Sequence, residues 1–393
     1  MTMMKFTMNA KELKAMIDKG MTAINKKHYN PDFKKLYFQI DKDGLLRVLG
    51  SNTEQYIEIR SDQAYDVQPG VFGIDIDDIK IVTKMKGNIT VEDITTEDMG
   101  DVGKINIKCG KKTVTIPRYQ NVDIFLPAMD DTEEKIFAAK ENWLLETLVN
   151  LETYTSDDIN QVKTQCFNFN TKQNRIEALD GHRLGMRTLR DQEVYSESSV
   201  MLNRSCVPVF KKTMSKKSES NVTISQDEKY VKVEGNDFAY VRRKQDGIYL
   251  YYDIEKILRF DSNFKFIPDR ESMLEMAKYN NELRVSDDKS APVVFHSENG
   301  KLYSYIKTHK YEAFDEIATS ENNMKSDLYI AFNPSYIADA FSIVDSDEPE
   351  CVGANAKSLI VIKGDEYSFL ILPINIKNNC EAAFMKHING EVA

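Results

Sequence analysis

The residues of this chain best placed for chemistry are Asp180, Gly181, His182 and Arg183, followed directly by Leu184. An acid, an imidazole and a guanidinium meet there at a turn. Asp-Gly suits a turn because Gly tolerates positive φ and Asp bonds its own backbone. The segment Arg175–Leu179 alternates like a strand, which predicts a hairpin closing on an exposed recognition loop. An arginine pinned to a neighbouring acid on an ordinary turn is the plain alternative. A second group, Asp75, Asp77 and Asp78, has the density of a cation site. It better suits a strand running into a helix N-terminus, where acids complement the dipole, and metal ligation is not expected. The five histidines (His28, His182, His296, His309 and His387) do not cluster. The five cysteines (Cys109, Cys166, Cys206, Cys351 and Cys380) have neither metal-ligand nor redox spacing. The chain lacks a Gly-rich phosphate loop before Lys, a Gly-x-Ser-x-Gly and a His-Glu-x-x-His. The expectation is a non-catalytic protein with no cofactor and no metal.

Composition narrows the class further. A length of 393 residues predicts two to four domains, and 41% apolar residues suffice for real cores. No apolar run is long enough to span a membrane, and the start at Met1-Thr2-Met3-Met4-Lys5-Phe6 lacks a signal-peptide core. Scattered cysteines read as reduced thiols, so a cytoplasmic location is expected. The net charge of −10 argues against a generally basic nucleic-acid binder, but not against positive charge confined to one surface.

Three helix-then-hairpin units recur. The first is a helix over Asn9–Lys27 and strands Leu36–Ile40 and Leu45–Leu49 around Asp43-Gly44. The second is a helix over Ala138–Thr153 and strands Cys166–Asn170 and Arg175–Leu179. The third is a helix over Arg270–Val285 and strands Pro292–His296 and Lys301–Ile306 around Asn299-Gly300. Asp-Gly and Asn-Gly between alternating segments are strong hairpin signals. A second strand-plus-helix element follows each unit, starting at Ile74, Leu202 and Ile330, a period of roughly 128 residues. Ser205 and Asn333 suit N-caps, with Pro208 and Pro334 just inside the helices. The expected fold is α+β: three tandem pseudo-repeated domains, each with two helices packed on antiparallel sheets. The expected domains are 1–129, 130–260 and 261–393.

Helices packed on a sheet leave one face to solvent, and here that face is cationic. Candidates are Lys11, Lys14, Lys26, Lys27, Lys80 and Lys84 in the first repeat, and Arg204, Lys211, Lys212, Lys216 and Lys217 in the second. The later helix of the third repeat, Ser335–Asp347, carries no cation. No helix-turn-helix or zinc-finger spacing is present. Such lysines would touch phosphates without reading sequence, unless they form only a solvated face. A last hairpin, Ser358–Ile362 and Phe369–Ile376, has a nearly continuous apolar second strand. Pro373 suits an edge there, where the segment would wall a groove for an extended peptide.

From Met4 to about Lys377 the chain resembles the bacterial DNA polymerase sliding clamp, the β subunit of the replicative polymerase. The resemblance rests on Met4-Lys5-Phe6-Thr7, the stretch Ser51–Ile59, Gln68-Pro69-Gly70, Asp180–Leu184, Phe332-Asn333-Pro334-Ser335-Tyr336 and Leu370–Ile376. It implies a homodimeric, head-to-tail ring of two three-domain subunits, helices lining the hole, that encircles duplex DNA without sequence preference and tethers the polymerase for processive synthesis. It also implies a pocket for short apolar motifs of the replicative polymerase and the clamp loader. Carried over by position, that pocket comprises Leu179, Gly181, His182, Arg183, Leu184, Ser358, Leu370, Ile371, Leu372, Pro373, Ile374 and Ile376, with Leu250, Lys256 and Ile257 from the linker. The chain departs from the family at Gln161, Thr164 and Asn375, in the extra Tyr249–Tyr252, and in a tail, Asn378–Ala393. An accessory scaffold of the same fold, from a phage or mobile element, that binds partner peptides without serving chromosomal replication is the alternative.

Overall fold

The computed structural model describes residues 3–96, 99, 102–119, 125–158, 160–244, 251–376 and 380–390. Contacts gather the chain into two units, residues 1–146 with 192–249, and residues 147–191 with 250–393. Both mix helices with antiparallel sheets, the α+β class expected from sequence. All five cysteines are free, and no helix among the described residues is long and apolar enough to cross a membrane.

The first unit is built on a fourteen-stranded sheet. Its first hairpin, Lys35–Ile40 and Leu46–Ser51, turns through Gly44 at φ 78°. Gln55–Ser61 then pairs with Leu46–Ser51 on one side and with Phe238–Arg243 on the other, so strands far apart in sequence share one ladder. The helix Ala10–Gly20 buries Leu13, Met16 and Ile17, and Asn9 caps it by accepting from the Lys11 amide at 2.9 Å. The helix is shorter than its periodicity predicts. It passes at Gly20 into a 3-10 turn, Met21–Ala23, where the Thr22 hydroxyl donates to the Lys19 carbonyl and competes with the ladder.

Two further expectations are corrected in this unit. The helix after Ile74 is a single turn, Ile76–Ile79, followed by a 3-10 turn at Val82–Lys84. The β-branched Ile79, Ile81, Val82 and Thr83 crowd a continuing helix. Its cap is Asp75, which accepts from the Asp77 amide at 2.8 Å, whereas Asp77 pairs with Lys80. The helix Cys206–Thr213 starts after Ser205, but that hydroxyl does not cap it. The Arg242 guanidinium holds it at 2.7 Å.

In the second unit, Cys166–Asn170, Arg175–Leu179, Arg183–Thr188, Tyr367–Ile371, Ile360–Lys363, Glu350–Gly353, Phe264–Pro268 and Thr319–Asn322 follow one another in a sheet. A four-stranded sheet runs Glu312–Ile317, Lys301–Lys307, Val293–Glu298, Tyr329–Phe332. The helices Arg270–Asp287 and Pro334–Ile343 pack side by side, capped by Asp269 and Asn333. The last apolar strand ends at Ile371, five residues earlier than its hydropathy suggests. Beyond it, the Leu372 amide donates to the His182 carbonyl and the Ile374 amide to the Ala331 carbonyl, while Pro373 between them has no donor.

Candidate functional site

Asp180 organises its turn alone. Its Oδ1 accepts from the His182 amide at 2.9 Å and from the Arg183 amide at 3.0 Å, and Oδ2 accepts from Arg183 Nε at 2.9 Å. Gly181 sits at φ 91°, a backbone state open to glycine at little cost. Arg183 leaves the turn inward. Its Nη1 donates to the Asp339 carboxylate and its Nη2 to the Thr153 carbonyl at 2.6 Å. The guanidinium also lies 4.3 Å from the Tyr336 ring centre and 5.0 Å from that of Tyr154. Burial works against the charge, but hydrogen bonds to Asp339 and Asp180 raise the pKa above the ordinary arginine value. Arg183 is therefore a positioning residue for the turn, with three of its donors spent on the protein itself.

Tyr154 closes the network from below. It is fully buried and stacks on Phe369, with centroids 5.1 Å apart, and burial pushes its phenol well above the ordinary range. A Cβ at Gly185 would lie 2.9 Å from this ring, so only glycine lets the strand Arg183–Thr188 pass so close.

Beside the turn lies an apolar groove of about 90 Å³, lined by Leu179, Gly181, His182, Arg183, Leu184, Ile257, Leu359, Leu370 and Leu372. Strand register makes its floor: Leu179 faces Leu184, and Leu184 faces Leu370. The Leu372 amide, bonded to the His182 carbonyl at 2.9 Å, swings the departing chain over the groove as a wall. The opposite wall is the short helix Ile254–Leu258. Ile254 is buried among Leu179, Leu184 and Leu370, and the Tyr251 hydroxyl accepts from the Leu179 amide at 3.2 Å. Ile257 and Leu372 are 40% and 46% exposed, apolar surface left at the mouth.

Eight of the residues carried over from the resemblance thus line one groove: Leu179, Gly181, His182, Arg183, Leu184, Ile257, Leu370 and Leu372. Six others do not. Ile371 alternates to the opposite face and is buried there. The Ser358 hydroxyl holds its own turn, accepting from the Ala354 and Asn355 amides. Lys256 points outward and pairs with Asp253. Pro373 is not among the lining residues, Ile374 follows the strand Tyr329–Phe332 through the Ala331 carbonyl, and Ile376 packs against a separate cluster that includes Val294, Tyr305 and Phe384. Leu250 lies outside the described residues. The sequence reading missed Leu359, whose signal was available: Leu359 and Val361 alternate against Ile360 and Ile362, and share the groove's face. It also missed Tyr154, Tyr336 and Asp339, which meet Arg183 only through tertiary packing.

The cation candidates all lie in the first unit. Lys11, Lys14, Lys26, Lys27, Lys80, Lys84, Lys211, Lys212, Lys216 and Lys217 are exposed, and Arg204 is half-buried. The helices Ala10–Gly20 and Cys206–Thr213, which carry Lys11, Lys14, Lys211 and Lys212, are in contact with each other. Lys80 and Lys84 lie on the short turns after Asp75 rather than on one helical face. Among the described residues, no three His, Cys, Asp or Glu side chains are grouped to hold a metal ion.

No protein-family model and no curated protein sequence matches the chain. Solved structures do. A Eubacterium rectale protein assigned as a DNA polymerase III beta subunit superposes with a TM-score of 0.84 at 20% identity, over 95% of this chain and 100% of its own. The DNA polymerase sliding clamp of Bacillus subtilis gives 0.82 at 17% identity, over 95% and 99%. The DNA polymerase III beta subunit of Thermotoga maritima gives 0.79 at 21% identity, over 95% and 100%. The sequence resemblance and these superpositions agree: over nearly its whole length, the chain has the fold of the bacterial DNA polymerase III beta subunit, the sliding clamp.

Proposed function

We propose that the chain is a divergent, non-catalytic sliding clamp of the cytoplasm, which encircles duplex DNA as a ring of two copies and tethers a replicative polymerase through the groove beside Arg183. Three domains, 1–129, 130–260 and 261–393, underlie this reading. A strand leads directly into a helix at the start of each: Lys5–Asn9 into Ala10–Gly20, Glu134–Lys140 into Glu141–Leu151, and Phe264–Pro268 into Arg270–Asp287.

One observation carries the ring. The strand after each repeat's hairpin pairs with the last strand of the next repeat, Gln55–Ser61 with Phe238–Arg243 and Arg183–Thr188 with Tyr367–Ile371. The third such strand, Glu312–Ile317, pairs among the described residues only with Lys301–Lys307. Its counterpart in this series is the last strand of the first repeat, Lys112–Tyr119. Lys112–Tyr119 pairs along its length with Val102–Cys109 and meets Gly70–Asp75 only at Tyr119. Lys111 and Lys112 are opposite in charge to Glu312, Asp315 and Glu316, so two copies joined head to tail would bring two largely open edges together with opposite charges.

The exposed lysines of the first unit supply a phosphate-facing surface without base readout, which lets a ring slide. A clamp loader and the polymerase would share the groove. One observation favours a second reading, a clamp-fold scaffold that binds partner peptides without encircling DNA: the helix Pro334–Ile343 carries no cation. Sedimentation equilibrium tests the ring. A mass of twice 45.2 kDa at micromolar concentration is expected, and a single-chain mass throughout the concentration range would refute it.

A further inference from the structure

In each repeat a segment near its end covers one sheet face. Leu126 packs on Tyr37 and Leu49, and Tyr251, Ile254 and Leu258 pack with Leu179 and Leu184. The third repeat has a cover as well. The helix Glu381–Ile388 lies on the four-stranded sheet, with Cys380 and Phe384 buried among Val294, Tyr303, Tyr305 and Ala331. Phe384 is the anchor. It is fully buried, its ring centre 5.2 Å from that of His296, 5.4 Å from Tyr305, 5.6 Å from Tyr329 and 5.9 Å from Phe314.

One turn on, the helix reaches the strand Glu312–Ile317. The His387 ring stacks on Phe314 at 4.7 Å with planes 7° apart, and its Nε2 lies 3.8 Å from Glu312 Oε1. The same oxygen accepts from the Tyr305 hydroxyl at 2.7 Å. Phe384 and His387, at i and i+3 on one helical face, therefore both grip the strand that has a single ladder neighbour among the described residues. An edge strand held on one side frays, and ordering it at the moment of association weakens binding.

We propose that the C-terminal helix Glu381–Ile388 is a brace that pre-orders the edge strand Glu312–Ile317 to receive the strand Lys112–Tyr119 of a second copy of this chain. The inference rests on the ring reading and adds a determinant to it: the affinity of the two copies is set by a helix outside the strands that join. The equivalent strands Gln55–Ser61 and Arg183–Thr188 need no such brace, because each has ladder neighbours on both sides.

The test uses the full chain and two variants, Phe384→Ala and His387→Ala, in a sedimentation concentration series with amide exchange followed over residues 312–317. Phe384→Ala removes the anchor, while His387→Ala leaves the anchor and removes only the stacking on the edge strand. Both should raise the dimer dissociation constant, His387→Ala by about tenfold, and both should speed exchange of the edge amides in the dissociated chain. An unchanged dissociation constant and unchanged edge exchange in His387→Ala would overturn the brace while leaving the ring standing. A full chain that never pairs overturns the ring and the named second copy together. Far-UV circular dichroism of Phe384→Ala separates loss of the anchor from loss of the fold.

Discussion

Asp339, on the helix Pro334–Ile343, accepts a hydrogen bond from the Arg183 guanidinium and so ties the Asp180–Arg183 turn to a helix 156 residues further along the chain. This link makes the groove a preformed surface. The turn that makes its rim is fixed from three sides, by Asp180, Asp339 and the Thr153 carbonyl.

Arg183→Ala should therefore cost stability. It strips Asp339 and Asp180 of a partner and leaves the Thr153 carbonyl short of a donor. Because the Asp339 side chain is 35% exposed, water softens the loss to about 1–3 kcal/mol, below the cost of breaking a fully buried pair. Arg183→Lys should recover little, since one ammonium cannot reproduce three diverging bonds and two ring interactions. Urea unfolding midpoints of the two variants check this.

The groove makes a separable prediction. Leu372→Asp and Ile257→Asp alter half-exposed side chains at the mouth and should shift stability by no more than about 0.5 kcal/mol. Both should abolish binding of a short apolar peptide from a replicative polymerase, whose affinity for the unaltered chain should be on the order of micromolar. Calorimetry with that peptide reads the difference. Wild-type affinity in Leu372→Asp would remove the groove from the account.

Much of this was legible in the sequence, for reasons that differ residue by residue. The hairpin Cys166–Asn170 and Arg175–Leu179 has the bounds its alternation predicts, because alternation and turn residues are local signals. The groove residues Leu179, Leu184, Leu370 and Leu372 came from resemblance, and register then accounts for their meeting. Asp339 was not legible: nothing near it in sequence marks it as the partner of Arg183. The helix after Ile74 failed because its apolar spacing was helical while its β-branched residues were not suited to continue one. The early end of the last strand had a local signal, Pro373, but the apolar run around it masked that signal.

On DNA, the lysines should act on phosphates only. Reversing Lys211, Lys212, Lys216 and Lys217 to Glu should leave the fold intact, since all four are exposed. It should weaken binding to linear duplex equally for all sequences. The slope of log affinity against log salt should fall by about 0.9 for each phosphate that is no longer neutralised. Fluorescence anisotropy across a salt series measures both, and an unchanged slope would remove these lysines from the DNA-facing surface.

His296 should make the second unit sensitive to mild acid. It is buried, stacks on Tyr329 at 4.2 Å and lies 3.4 Å from the Leu328 carbonyl, while its Nε2, 3.8 Å from Glu298 Oε2, has no hydrogen-bond partner among the described residues. Burial holds its pKa below the ordinary value, outweighing the Leu328 carbonyl and Glu298, which act the other way. The unfolded chain therefore takes up the proton first. Stability should fall as pH drops below about 6.5, the ordinary histidine value, until the folded group also protonates. Above that value both states are neutral and the effect vanishes. Urea midpoints at pH 7.5 and 5.5 should differ more for the unaltered chain than for His296→Phe.

The central claim, a ring closed around DNA, is tested most directly by topology. Chains mixed with circular plasmid at a concentration too low for pairing, then concentrated so that they pair, should become trapped. Washing with salt that strips the protein from linear fragments should leave it on the circles, and a single restriction cut should release it. Equal loss from circular and linear DNA at the same salt, with the protein demonstrably paired, would contradict the account.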